Sequence, residues 1–388
     1  MITNSTIGRL HAIDGLRGLA ALAVLVFHAR SCLWIGASAT YREHRLEPNL
    51  NAWIGYLTVP FSFGGLGVTL FFVLSGYCIH RRGARNLASS NPSELNLVKF
   101  ANRRFWRIFP TYVCALLLTA LIDYWLQTMS GHSVPNQDNS AFTFLISLLT
   151  LQGYVAPTFG SNGVFWTLAM EIHLYAMYPL LYGLSSRMGP VRVVAMTFFI
   201  SLLYTVCEML FGFESLFAHR FERGPVFLPY WFTWTLGFFL AEVEAGRCRD
   251  VGDKVWFSAS LVAMPIGVCL SLMNYYLLAE LFWAIVFVSL LRASLKPRGE
   301  EIWRMRIGRF FAAIGVFSYS LYAVHAPMLR LFHSLISPGD PNYKFETLWM
   351  TLAGVVVSIV FAYVFFQLVE RWSIPKTSRM EVKLEPSA

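Results

Sequence analysis

An all-α, polytopic integral membrane protein is the fold this sequence predicts, on three observations. Hydrophobic residues make up 56% of the 388-residue chain and charged residues only 14%, whereas about a quarter of a soluble domain is charged. Apolar stretches of roughly 20 residues, the length that crosses a bilayer, recur along the whole sequence. The 31 Lys and Arg residues gather in alternate connecting segments, as they do where positive charge sets the orientation of membrane helices.

The expected spans lie near 14–33, 57–79, 110–129, 163–184, 190–212, 226–242, 255–273, 275–292, 310–333 and 347–370. The apolar run before His28 and Arg30 lacks a small-residue cleavage site, so it reads as an uncleaved first span rather than a signal peptide. A shorter run, Phe142 to Leu151, leads into QGYVAPTFGSNG, and whether it crosses decides the sidedness of everything after it. If it does not cross, 24 of the 31 Lys and Arg fall on one side, among them the six from Arg292 to Arg309. If it crosses, that six-charge loop falls outside, against the positive-inside rule. About ten transmembrane helices with both termini cytoplasmic follow, and the short run becomes an outward-facing interfacial or re-entrant element. Residues 1–388 read as a single domain with a short cytoplasmic tail from about 371, placed in the bacterial inner membrane.

Composition also excludes. The six cysteines show no CxxC-like spacing, which argues against a disulfide framework or a metal site. The net charge of +9 belongs to topology rather than to a nucleic-acid partner; membrane lipid is the expected neighbour.

Ionisable side chains inside spans are costly and mark functional sites. The first span holds Arg17 and His28 with ten residues between them. Eleven positions are almost three helical turns, so both lie on one face about 16 Å apart. Asp14 reads as an N-cap. Arg17 has an alternative as a snorkelling residue near the cytoplasmic surface, whereas His28 lies too deep for that. Glu171, in GVFWTLAMEIHLYAMYPLL, sits about 12 Å below the outer end of its span, too short to reach water. Tyr175 and Tyr178 share its face, most simply as packing residues, and His173 points elsewhere. His325, in GVFSYSLYAVHAPML, shares a face with Tyr322, and Pro327 loosens the helix there. His28, Glu171 and His325 are thus expected in one outer-half layer. Arg104 and Arg107, in KFANRRFWRIFPTY, fit either a topogenic cluster beside lipid headgroups or a grip on a phosphorylated ligand, while Arg81, Arg82 and Arg85 read as topogenic. Glu280 reads as interfacial or core-paired, and Glu370 as a helix end. Gly64, Gly65, Gly67 and Gly76 read as close-packing positions.

Five of these segments, in order, resemble the acyltransferase 3 family of integral membrane acyltransferases. IDGLRGLAALAVLVFH carries that family's Arg/Lys, ten residues, His signature at Arg17 and His28, and GVTLFFVLSGY resembles its Phe-Phe-x-x-Ser-Gly segment. RRFWRIFPTY is similar to its Arg-rich motif, FWTLAMEIHLY to its Trp-Ser-Leu-x-x-Glu segment with Thr167 in the serine position, and SYSLYAVHAP to its late Tyr and His segment. The chain departs from the family pattern at Thr69, where an acidic residue is frequent, and after Glu171, which is followed by Ile172 and His173.

The resemblance implies transfer of an acyl group, usually acetyl from acetyl-CoA, to a hydroxyl of a saccharide, glycolipid or sugar-bearing molecule. For that reaction Arg17, Arg104 and Arg107 are expected to hold the acyl-CoA phosphates and His28 to be a general base, a role worth about 10² to 10⁴ in rate. Glu171 would orient that imidazole, with Tyr322 and His325 binding the acceptor; no metal is expected. The competing class is a transporter or flippase that uses the same His, Glu and Arg groups as a path, although no internal repeat of the kind many transporters show is visible.

Overall fold

The computed structural model describes residues 11–44, 50–130, 138–212, 227–337 and 343–373, and these are helical without a strand. The expected tail beyond Ser373 lies outside the described residues. Helix α1 spans His11–Leu33, followed by short α2 (Ala37–His44) and α3 (Leu50–Leu57), a 3₁₀ segment (Val59–Leu66) and α4 (Gly67–Leu87). Then come α5 (Leu97–Ser130), α6 (Ala141–Leu148), α7 (Phe165–Met188), α8 (Pro190–Phe211) and α9 (Leu228–Glu244). The second half holds α10 (Asp253–Leu272), α11 (Tyr276–Ser294), α12 (Pro297–Arg304), α13 (Arg306–Val316), α14 (Ser318–Ile336) and α15 (Trp349–Phe365). A π turn (Phe366–Glu370) and the single turn α16 (Arg371–Ser373) close it.

Seven stretches are long and apolar enough to cross a membrane: His11–Leu33, Ala52–Leu87, Leu97–Thr128, Pro190–Phe211, Asp253–Leu272, Tyr276–Ser294 and Trp349–Ser373. The pair α13 and α14, bent by 73° at Phe317, passes the same test as one broken span. The two other expected spans are α7, of 24 residues, and α9, of 17. Their composition is set by position. Helix α9 buries 13 of its 17 residues against neighbouring helices, so it can carry Thr233, Thr235 and Glu242 where a lipid-facing helix could not. Helices α8 and α10 do the reverse, turning Phe199, Leu203, Leu261 and Val262 outward. Such exposed apolar faces belong against lipid tails. Helix α6 has eight residues, about 12 Å, too few to span hydrocarbon. Ser140 caps it, accepting from Thr143 N at 3.2 Å.

Charged residues collect at one end of the bundle, the basic end. Glu242 accepts from His80 Nε2 (2.7 Å), Ser185 Oγ (2.6 Å) and Arg247 Nη1 (2.7 Å), tying α4, α7 and α9 together. Arg81 and Arg85, expected to serve topology, both reach Glu244, which also accepts from the Tyr77 hydroxyl. Asp14 does not cap α1, because the helix already runs from His11. Instead the Glu300 carboxylate of α12 accepts from His11 N at 2.9 Å and Ala12 N at 3.1 Å, satisfying donors that a helix start leaves open.

Two close crossings set the frame. A Cβ at Gly18 would lie 1.9 Å from Phe311 O and one at Gly315 1.9 Å from Asp14 O, so α1 and α13 meet backbone to backbone. Gly76 and Gly237 do the same for α4 and α9, against Trp234 O and Val73 O. Without a hydrophobic drive between helices in lipid, such contact supplies the packing energy.

Candidate active site

Helices α1 and α14 bring His28 and His325 together, with His325 Nε2 3.2 Å from His28 Nδ1. The surrounding carbonyls fix the protons. His325 Nδ1 lies 3.1 Å from Leu321 O and 2.9 Å from Tyr322 O, and because a carbonyl only accepts, that nitrogen donates. In a neutral ring Nε2 then holds a lone pair, which accepts from His28 Nδ1–H, itself shared with Val24 O at 3.0 Å. His28 Nε2 is left as a free acceptor on a half-buried ring. His325 is buried at 1% exposure and edge-packed on Tyr322.

Tyr322 shares a 2.6 Å hydroxyl contact with Thr167, which in turn donates to Val164 O at 2.8 Å. Residues of the late Tyr and His segment thus meet the Trp-Thr-Leu segment of α7 directly.

Glu171 does not join the histidines. It accepts from the Tyr175 hydroxyl, and Ser75 Oγ, within 3.2 Å of Tyr175 Oη, links on to Trp234 Nε1 at 3.2 Å. Glu171 lies four residues past Thr167, about 6 Å closer to the basic end. The expected common layer therefore resolves into two, and Glu171 does not orient the imidazole of His28. Val24 O and His325 do. The separation follows from direction: α7 descends from the layer of Tyr322 while α1 and α14 climb toward it.

Arginines surround that lower layer. Arg17 pairs with Asp14 at 3.9 Å and acts electrostatically on Glu171 and Tyr175, so it faces the interior rather than snorkelling. Arg104 lies over the rings of Phe100 and Tyr175, at 5.6 and 5.8 Å, and its buried Nε has no partner among the described residues. Arg107 is exposed and, with Arg17, acts on Glu370. Arg104 and Arg107 belong to the first turns of continuous α5, not to a loop.

Two further carboxylates have partners that the sequence does not name, and Glu280 takes the core-paired of its two readings. Glu370 is not a free helix end: it is buried beside the π turn and accepts from Ser320 N (3.1 Å) and Ser320 Oγ (2.5 Å). Glu280, buried in the core, accepts from Thr69 at 2.7 Å and Thr233 at 3.1 Å. A carboxylate from α11 thereby reaches the position where Thr69 departs from the family pattern. No group of three or more His, Cys, Asp or Glu that could hold a metal occurs among the described residues.

The family model for the acyltransferase domain matches residues 10–367, nearly the whole chain. The chain belongs to the acyltransferase 3 family. This acyltransferase is 25% identical over 370 residues to acyltransferase MdmB of Streptomyces mycarofaciens, covering 90% of this chain and 86% of that protein. It is 22% identical over 382 residues to O-acetyltransferase OatA of Staphylococcus aureus, covering 92% of this chain and 56% of that longer protein. No solved structure matches the acyltransferase. The chain is an integral membrane acyltransferase, and the paired histidines lie in two of the segments that carry the family resemblance.

Proposed function

We propose that this acyltransferase moves an acetyl group from acetyl-CoA to a hydroxyl of a saccharide, glycolipid or sugar-bearing small molecule. In this reading ten spans cross a bacterial inner membrane with the basic end and both termini in the cytoplasm. The observation that carries it is the pairing of His28 Nδ1 with Val24 O and His325 Nε2, which supports reading His28 Nε2 as the unprotonated, oriented base. The acceptor hydroxyl gives its proton to that nitrogen as its oxygen attacks the thioester carbonyl. The new C–O bond forms, the C–S bond breaks, and the departing thiolate takes the proton back from His28. His325 steadies the imidazolium between these steps by accepting from Nδ1–H. Arg17, Arg104 and Arg107 bind the CoA phosphates at the basic end, and the acyl-bearing arm climbs the roughly 16 Å from Arg17 to His28. The OatA relative supports O-acetylation as the chemistry.

The test uses purified protein, radiolabelled acetyl-CoA and a mixed glycan pool. Label should pass to glycan with the wild-type protein and not with His28→Ala, although the variant still inserts in the membrane. Transfer by His28→Ala at the wild-type rate would overturn the assignment.

A further inference from the structure

Just beyond the histidine pair, on the side away from the arginines, lies a second group of polar atoms that the catalytic step does not use. Pro327 has no N–H, so the carbonyl of Ala323, four residues before it, loses its helical donor. Asn162 Nδ2 fills that role, donating to Ala323 O at 2.8 Å and to Thr119 Oγ1 at 3.2 Å. Because Ala323 O only accepts, the orientation of the amide is fixed, and Asn162 Oδ1 must point the other way. That oxygen is buried and has no partner among the described residues.

Asp123, four residues along α5 from Thr119, is 4% exposed. Its Oδ2 accepts from Ser161 N at 2.7 Å, while Oδ1 has no partner among the described residues. The loop is shaped for this contact: Gly160 has φ +64°, and a Cβ there would lie 2.2 Å from Asp123 Oδ2. The hydroxyl of Ser161, on the same loop, is buried and has no hydrogen bond of good geometry among the described residues, although it stands close enough to act on Asp123. Three oxygens with no hydrogen bond among the described residues thus lie on α5 and the 160–162 turn next to Ala323, two residues from His325. Buried polar atoms are normally hydrogen-bonded, and exceptions call for a partner. Two of the three can only accept, so the missing partners are O–H or N–H donors. A phosphate or carboxylate ligand would meet the Asp123 charge with repulsion.

We infer that Asp123, Ser161 and Asn162 form an acceptor subsite that holds neighbouring hydroxyl groups of a neutral saccharide, leaving a further hydroxyl at His28. This rests on the acetyl transfer proposed above and adds where the acceptor binds. Arg330 acts electrostatically on Asp123. Tyr322 and His325 then stand beside the reacting oxygen rather than gripping the rest of the sugar.

The test uses the full-length protein with methyl β-glucoside, methyl β-N-acetylglucosaminide and maltose, measured both for equilibrium binding and for acetylation by radiolabelled acetyl-CoA. Ser161→Ala removes an oxygen with no hydrogen bond of good geometry among the described residues, and Asp123→Asn keeps an acceptor for Ser161 N, so both variants should fold. The expected result is an acceptor Kd and KM raised about tenfold in Asp123→Asn and several-fold in Ser161→Ala, with the KM for acetyl-CoA unchanged. Sugar binding that is equally tight in wild type and both variants overturns the subsite. Sugar bound by the wild type, weakened in the variants but never acetylated, supports the subsite and overturns the proposed transfer. Absence of binding to all three sugars overturns the saccharide class.

Discussion

In the proposed mechanism His325 positions His28 rather than binding the acceptor: its Nε2 accepts a hydrogen bond from His28 Nδ1–H, which leaves the other nitrogen of that ring available. His325→Ala should therefore lower kcat by about 10² or more while leaving both KM values nearly unchanged; a rise in acceptor KM alone would return His325 to acceptor binding. Tyr322→Phe and Thr167→Ala each remove the same hydroxyl contact, worth about 1 kcal/mol. Their double variant should be no worse than either single one, a non-additivity that a mutant cycle on kcat/KM reads directly. His28, Glu171 and His325 are legible in sequence because an ionisable group in an apolar run is conspicuous. The role of Glu171 is not, because depth estimated helix by helix does not tell which neighbours descend past one another. The partner of Glu370 is hidden for a related reason: the sequence shows only a helix end beside Arg371, whereas the carboxylate accepts from Ser320, 50 residues upstream.

At the level of elements, α1 and α13 cross where neither can carry a side chain. Gly18→Ala should destabilise the protein by about 1–3 kcal/mol, seen as a lower melting temperature in detergent, whereas Ala at Gly163, which has open space around it, should not. The Glu242 network joins three helices in a buried site. Glu242→Ala strands Arg247 and His80, and removing one partner of a buried ion pair costs about 3–5 kcal/mol; Arg82→Ala, in the same basic segment, serves as the control with little change expected. Nine of the expected spans coincide with helices over most of their length, and the tenth, 310–333, is broken at Phe317. Hydropathy does not report that break, because both arms are apolar. Nor does it single out α9 as interior, a placement that explains why its polar residues are tolerated.

For the whole molecule, the distribution of positive charge makes a topological prediction. In a background with the six native cysteines replaced, Val155→Cys, exposed on the loop after α6, should react with a membrane-impermeant thiol reagent in intact cells. Ser90→Cys, in the connection between α4 and α5, should react only after permeabilisation; the reverse pattern would invert the orientation. The histidine pair adds a constraint in time. Its two rings stand 297 positions apart, and synthesis runs from the N-terminus. A ribosome that has already inserted α1 has made only half of a base. Until α14 enters the bilayer, His28 has no ring to receive its proton, and the arginine-lined approach leads to nothing reactive. On the proposed mechanism, partly made chains in the membrane should thus be unable to activate an acceptor hydroxyl, and competence arrives abruptly once α14 is in place.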